Sequence, residues 1–137
     1  MRDDMQVLGT GIDLTDVDRI RHMLAEHGER FVSRCFTAAE RAYCEQSTRR
    51  RAEHYAARFA AKEAVLKALG TGLRDGITWT DIEVTRSDTG QPGIELAGRA
   101  AMRAARLGIG AWQVSLSHTA GTAAAVVIAL GIAPGRA

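Results

Sequence analysis

Apolar and polar positions alternate from Val7 to Leu14. Leu8, Thr10, Ile12 and Leu14 share one side, while Gly9, Gly11 and Asp13 share the other, which predicts a strand. Thr15 reads as an N-cap, with Asp16 and Asp18 in the first turn of the helix that follows. Val17, Ile20, Leu24 and His27 recur at helical spacing, and Gly28 suits the stop. Thr37-Ala38-Ala39-Glu40 fits a capping box and opens a second helix. The strongest helical pattern runs from about Arg49 to Leu69, with Ala52, Tyr55, Ala56, Phe59, Leu66 and Leu69 as its stripe and Gly70-Thr71-Gly72 as its end.

A strand is predicted around Trp79 to Thr85, a turn at Asp88-Thr89-Gly90-Gln91-Pro92, and a brief alternation at Ile94 and Leu96. A helix from about Ala97 to Leu107 follows. Trp112 to Ser117 and Ala123 to Leu130 then read as strands joined through His118 to Gly121. That order indicates a mixed α+β fold, and with no repeat or Pro/Ser-rich linker, residues 1–137 are expected to form one domain.

Composition narrows the class. With 46% hydrophobic and 25% charged residues the chain is of globular type, and with 5% aromatics its core is aliphatic and rich in alanine. Eighteen Lys and Arg against sixteen Asp and Glu are too balanced to announce a nucleic-acid partner. Cys35 and Cys44 make no disulfide framework and read as structural. Met1-Arg2-Asp3-Asp4 leads into no signal-peptide run, and Ala123 to Ala133 is too short for a membrane span, so a cytoplasmic location without membrane contact is expected.

Two carboxylates stand out. Asp13 lies in an apolar strand on the side where Gly9 and Gly11 allow a ligand or another backbone to approach; capping the next helix is the plainer alternative. Glu63 interrupts the stripe of the long helix, and a carboxylate facing inward must be paired, protonated or metal-bound. Lys67, at i+4, is its simplest partner. Taken together, Asp13 and Glu63 with Lys67 and Arg58 nearby suggest a sparse oxygen site for Mg²⁺, ringed by cationic donors and suited to phosphoryl-type transfer. The four His and two Cys show no zinc spacing. Gly9-Thr10-Gly11 lacks the third glycine of a dinucleotide fingerprint, and Gly70-Thr71-Gly72 lacks the lysine of a P-loop. For His118 a substrate contact and a loop hydrogen bond both remain open.

The runs Gly11-Ile12-Asp13-Leu14 with Arg19-Ile20, and Arg58-Phe59-Ala60-Ala61-Lys62-Glu63-Ala64 with Lys67-Ala68-Leu69-Gly70-Thr71-Gly72, resemble the two signatures of holo-acyl-carrier-protein synthases, the small trimeric 4′-phosphopantetheinyl transferases. Phe36-Thr37 with Glu40 and Tyr43, Gly90-Gln91-Pro92, and Val114 to Thr119 are weaker echoes in the expected order. The resemblance implies an antiparallel sheet packed with helices, an active site between subunits of a homotrimer, and transfer of the phosphopantetheine arm of coenzyme A to a serine of an apo-acyl carrier protein. It implies Mg²⁺ at Asp13 and Glu63, with Lys67 on the phosphates; Glu63, directly or through a metal-bound water, is then the expected acceptor of the serine proton. It further implies Arg58, Gly70, Pro92, His118 and Thr119 along the coenzyme A cleft, and docking of an acidic carrier at Arg19 and Arg21. For Arg49-Arg50-Arg51 a solvated face is expected. Where some relatives would carry bulkier or charged residues, His118 to Thr122 is small, which leaves contacts from that loop open.

Overall fold

The computed structural model describes residues 5–135; the opening Met1-Arg2-Asp3-Asp4 lies outside them. In chain order the elements are β1 (Gln6–Asp16), α1 (Val17–Cys35), α2 (Ala38–Cys44), α3 (Arg51–Leu69), a 3₁₀ turn (Trp79–Asp81), β2 (Ile82–Arg86), β3 (Pro92–Leu96), α4 (Gly98–Leu107), β4 (Ile109–His118) and β5 (Thr122–Gly131). The α+β expectation holds, with the strands divided between two antiparallel sheets: β1-β5-β4 and the hairpin β2-β3.

Alternation decides how the larger sheet packs. Asp13 pairs with Ala125 and Gly11 with Val127. Ala123, Ala125, Val127 and Ala129 of β5 are buried, as that side of the sheet is covered by α3. Ile12 and Leu14 fall on the opposite face and are 64% and 69% exposed, with Val126 beside Ile12 in register. One face is core, and the other is apolar and open.

Several predicted boundaries shift. The N-cap of α1 is Asp16, whose carboxylate accepts from the Asp18 N–H, and neither Thr15 nor Asp13 serves that purpose. Thr15 is still strand, buried at 2% exposure, and its hydroxyl donates to Asp13 Oδ2. Gly28 kinks α1 instead of ending it (φ 45°, ψ −119°), and the helix resumes to Cys35 because Phe31, Val32 and Cys35 reach the core. The helix predicted from Arg49 begins at Arg51. Trp79 starts a 3₁₀ turn and not a strand, because Thr78 and Asp81 cap each other reciprocally there.

The expected stripe on α3 is also too narrow. Ala57, Ala60, Ala61, Ala64 and Val65 are buried as well, because α3 runs through the middle of the molecule and contributes to both apolar clusters. Such close packing over most of its surface requires small residues where backbones touch. The same helix buries Lys62 completely, 2.7 Å from Glu40 of α2, itself 1% exposed. The Lys62 ammonium also donates to the carbonyls of Trp79 and Ile82, while Glu40 accepts from the Thr37 and Val84 amides. Burial pulls Lys62 below its ordinary pKa, and the adjacent Glu40 carboxylate pushes back. With both partners satisfied, the pair ties α2, α3, the 3₁₀ turn and β2 into one register.

Candidate active site

Backbones meet in the core between β1 and the last two turns of α3. A Cβ on Gly9 would stand 2.7 Å from the Ala68 carbonyl oxygen, and one on Gly11 would overlap the Ala64 carbonyl. The glycines therefore admit another backbone, one of the two partners that their spacing allowed. Because the backbones touch, residues flanking the contact are drawn together. Lys67 Nζ donates to the Ile12 carbonyl at 2.7 Å and to Asp13 Oδ1 at 3.1 Å. Asp13 Oδ2 is taken by the Thr15 hydroxyl, so the carboxylate is held at both oxygens.

Glu63 is the third member. Lys67 does not pair with it, as the i+4 spacing suggested, because the ammonium is drawn across to Asp13; no ion pair of Glu63 occurs among the described residues. Burial first, and then the Asp13 charge, push the Glu63 carboxyl above the usual carboxylate range, while Lys67 and Arg19 draw it down. It borders a cavity of about 550 Å³ with Leu66, Lys67, Gly70, Gly72 and Trp79. Gly70 is also the left-handed C-cap of α3, its N–H bonding back to Leu66 and Lys67, so the cap and the cavity wall are the same residue.

Arg58 is not part of this cluster, contrary to the expectation that it flanks Glu63. Five residues at about 100° each turn its side chain roughly 140° round the helix from Glu63. It lies at 3% exposure on a separate cavity of about 400 Å³, lined also by Tyr43, His54, Arg86, Pro92 and His118. Arg58 Nε and Nη2 and His54 Nδ1 are buried there without a hydrogen-bond partner. The structure thus brings Arg58, Pro92 and His118 together and leaves Gly70 with Glu63. His118 faces Glu53, with Nδ1 3.4 Å from the carboxylate, and also borders the Arg58 cavity. Thr119 closes the β4–β5 connection: its hydroxyl accepts from the Gly121 and Thr122 amides.

On α1 the two arginines part company. Arg19 lies over the Phe59 ring and lines a groove of about 360 Å³ with Met23, Phe31, Trp79, Arg30 and Arg34. Arg21, about 200° away round the helix, pairs with Asp18. Arg30 and Arg34 escaped the sequence reading because α1 was ended at Gly28; their spacing from Arg19 and Met23 becomes a signal only if the helix is carried past that glycine. In the Arg49 to Arg51 run, Arg51 Nε bonds to both oxygens of Glu45, a local role. Cys35 and Cys44 are free and buried, and burial pushes both thiols up, Cys44 to about 12, away from the reactive thiolate. No helix among the described residues is long and apolar enough to cross a membrane.

Comparison with known proteins converges on one family. Residues 9–127 match the 4′-phosphopantetheinyl transferase superfamily. A holo-[acyl-carrier-protein] synthase of Geobacter sp. (strain M21) is 46% identical over 122 residues, 89% of this chain and 97% of that protein. Among solved structures, the Plasmodium yoelii acyl carrier protein synthase with ADP bound is similar at a TM-score of 0.83 and 30% identity, over 94% of this chain and 98% of that one. The Helicobacter pylori holo-[acyl-carrier-protein] synthase in complex with coenzyme A gives 0.77 and 29%, over 88% and 98%. Since one family spans both the strand carrying Asp13 and the helix carrying Glu63 and Lys67, this chain belongs to the 4′-phosphopantetheinyl transferase superfamily.

Proposed function

We propose that residues 1–137 act as one catalytic unit that transfers the 4′-phosphopantetheine arm of coenzyme A to a serine hydroxyl of an acidic apo-acyl carrier protein, releasing adenosine 3′,5′-bisphosphate. The observation that carries this reading is the meeting of Asp13, Glu63 and Lys67 where β1 touches α3. The donor set fits Mg²⁺. Two neighbouring carboxylates raise each other's electrostatic cost, which a cation relieves, and no third His, Cys, Asp or Glu completes a closed site among the described residues. Mg²⁺ ordinarily takes such a sparse set together with water and phosphate oxygens. Bound by Asp13 and Glu63, it would supply charge neutralisation to the pyrophosphate.

The remaining work belongs to the chain's own groups. Glu63, held above the usual carboxylate range, is a suitable acceptor for the proton of the incoming serine. Lys67 reaches into the same cavity on a flexible stem and can exchange Asp13 for a phosphate oxygen of the leaving group. Nothing here must act as nucleophile, since the carrier supplies it. The α1 groove, with Arg19, Arg30 and Arg34 round an apolar floor, suits an acidic carrier better than Arg21 does.

A homotrimer with shared active sites fits two features. Ile12, Leu14 and Val126 form an open apolar row of the kind that marks an interface. The Arg58 cavity and the Glu63 cavity face different sides of α3, so a neighbouring copy is needed to close one around a single coenzyme A. A cytoplasmic setting agrees with the free thiols of Cys35 and Cys44. The test is mass spectrometry of apo-acyl carrier protein incubated with this protein, coenzyme A and Mg²⁺. A gain of about 340 Da, one phosphopantetheine, is expected for phosphoryl-type transfer of the arm; no gain with any cognate carrier refutes the reading.

A further inference from the structure

Helix α4 carries three arginines and no carboxylate between Gly98 and Leu107. By helical spacing Arg99, Met102, Arg103 and Arg106 fall within an arc of about 100°, next to the side on which Ala100 and Ala104 are buried. Arg99 and Arg106 are exposed, and Met102 beside them is 49% exposed. Elsewhere Arg21, Arg41 and Arg51 are each answered by a carboxylate of the chain. None of the α4 arginines forms an ion pair among the described residues, not even with Asp75, which lines the small crevice against this face. The face is basic, ordered and unanswered.

Its place in the fold ties it to the site. Arg103 Nε donates to the Leu69 carbonyl at 3.2 Å, and its Nη2 lies 3.9 Å from where a Cβ of Gly70 would stand. Gly70 borders the Glu63 cavity, and Trp79 is shared between that cavity and the α1 groove. The cavity is thus joined to two basic surfaces, the α1 groove through Trp79 and α4 through Gly70. The turn after α3 also supports Arg99, since a Cβ on Gly76 would stand 3.4 Å from its Cγ.

We propose that the α4 face bearing Arg99, Arg103 and Arg106 is a second docking surface for the acidic carrier, separate from the α1 groove. The inference rests on the transferase reading above. A protein whose serine reaches Glu63 must cover the rim of that cavity, so its acidic side chains come within a Debye length of α4 as well as α1. Arg99 and Arg106 stand about 10 Å apart along the helix, the separation of carboxylates two turns apart on a partner helix. Met102 adds an adaptable apolar contact among them. Nucleic acid fits less well, because α4 has no aromatic ring on which a base could stack.

The test compares Arg99→Ala with Arg106→Ala, as a double variant, against the wild type over a range of salt. Arg103 is left in place because it bonds the end of α3. Two quantities are read: transfer kinetics, and the Kd of an apo-carrier whose acceptor serine is replaced by alanine. At low salt the double variant should raise KM for the carrier and this Kd by about three- to tenfold, with kcat and KM for coenzyme A unchanged. The gap should close as salt screens the wild type, and Arg99→Lys with Arg106→Lys should retain most of the affinity. A net-charge effect would raise KM for coenzyme A, itself an anion, along with that for the carrier. That result, or carrier values equal to the wild type at low salt, overturns the docking surface alone. A smaller sedimentation coefficient in the double variant assigns the face to a second copy of this chain and overturns it too. A wild-type chain that modifies no carrier overturns the transferase reading, and the docking surface with it.

Discussion

Glu63 owes its chemistry to position more than to type. A glutamate at an exposed helix site pairs with a lysine one turn away for a few tenths of a kcal/mol and does nothing else. Here Lys67 is engaged by Asp13 and Ile12, burial and the Asp13 charge raise the Glu63 carboxyl, and in the proposed reaction it takes the serine proton. Glu63→Gln, nearly isosteric and half-buried, should lower kcat by about 10²- to 10⁴-fold, the usual worth of a general base. Its urea midpoint should stay within experimental scatter of the wild type. An unfolded variant would instead assign Glu63 to structure.

At the level of elements, the register between α3 and its neighbours is held by one buried charge pair and two glycines. Lys62→Met leaves the Glu40 carboxylate buried without its cation and should cost about 3–5 kcal/mol by urea unfolding. Adding Glu40→Leu should recover only part of that, because the Thr37 and Val84 amides lose their acceptor as well. The α2–α3 junction makes a weaker case. Glu45 accepts from Arg51 and from the Tyr55 hydroxyl, and the Arg51 hydrogen bond above all holds its carboxyl below the ordinary range. A depressed carboxyl means that the unfolded chain binds the extra proton. The stabilisation is therefore complete above the unfolded carboxyl value and is lost as pH falls through the lower folded one. Glu45→Gln should cost less than about 1 kcal/mol near neutrality, as the side chain is 47% exposed, and the gap to wild type should close in acid melts.

For the whole molecule, the open sheet face and the divided cavities belong together. A chain whose own core were its only need would not leave Ile12 and Leu14 in water on the outer face of β1. Ile12→Asp with Leu14→Lys should shift sedimentation to the single chain. It should abolish transfer while leaving far-UV circular dichroism unchanged, because in the proposed homotrimer each active site would lose the wall given by its neighbour. Retained activity in a monodisperse single chain would show that one copy closes its own site.

Much of this was legible in local pattern. Period-two alternation marked β1 and its two faces, the capping box at Thr37 and Glu40 marked α2, and Gly70 marked the end of α3, since each signal depends on neighbours a few residues away. The carboxylate pair was legible as two anomalies, Asp13 in a strand and Glu63 in a stripe. Tertiary contact decided the rest. It carried α1 through Gly28 because Phe31 and Val32 find the core, and it gave Lys67 to Asp13 in place of Glu63. It also turned Arg58 away into a second cavity and joined Lys62 to Glu40 across a gap in sequence. Local spacing fixes which way a side chain leaves its own helix or strand, but the partner it meets depends on how elements distant in the chain are pressed together, and that is set by the packing of both apolar clusters around α3.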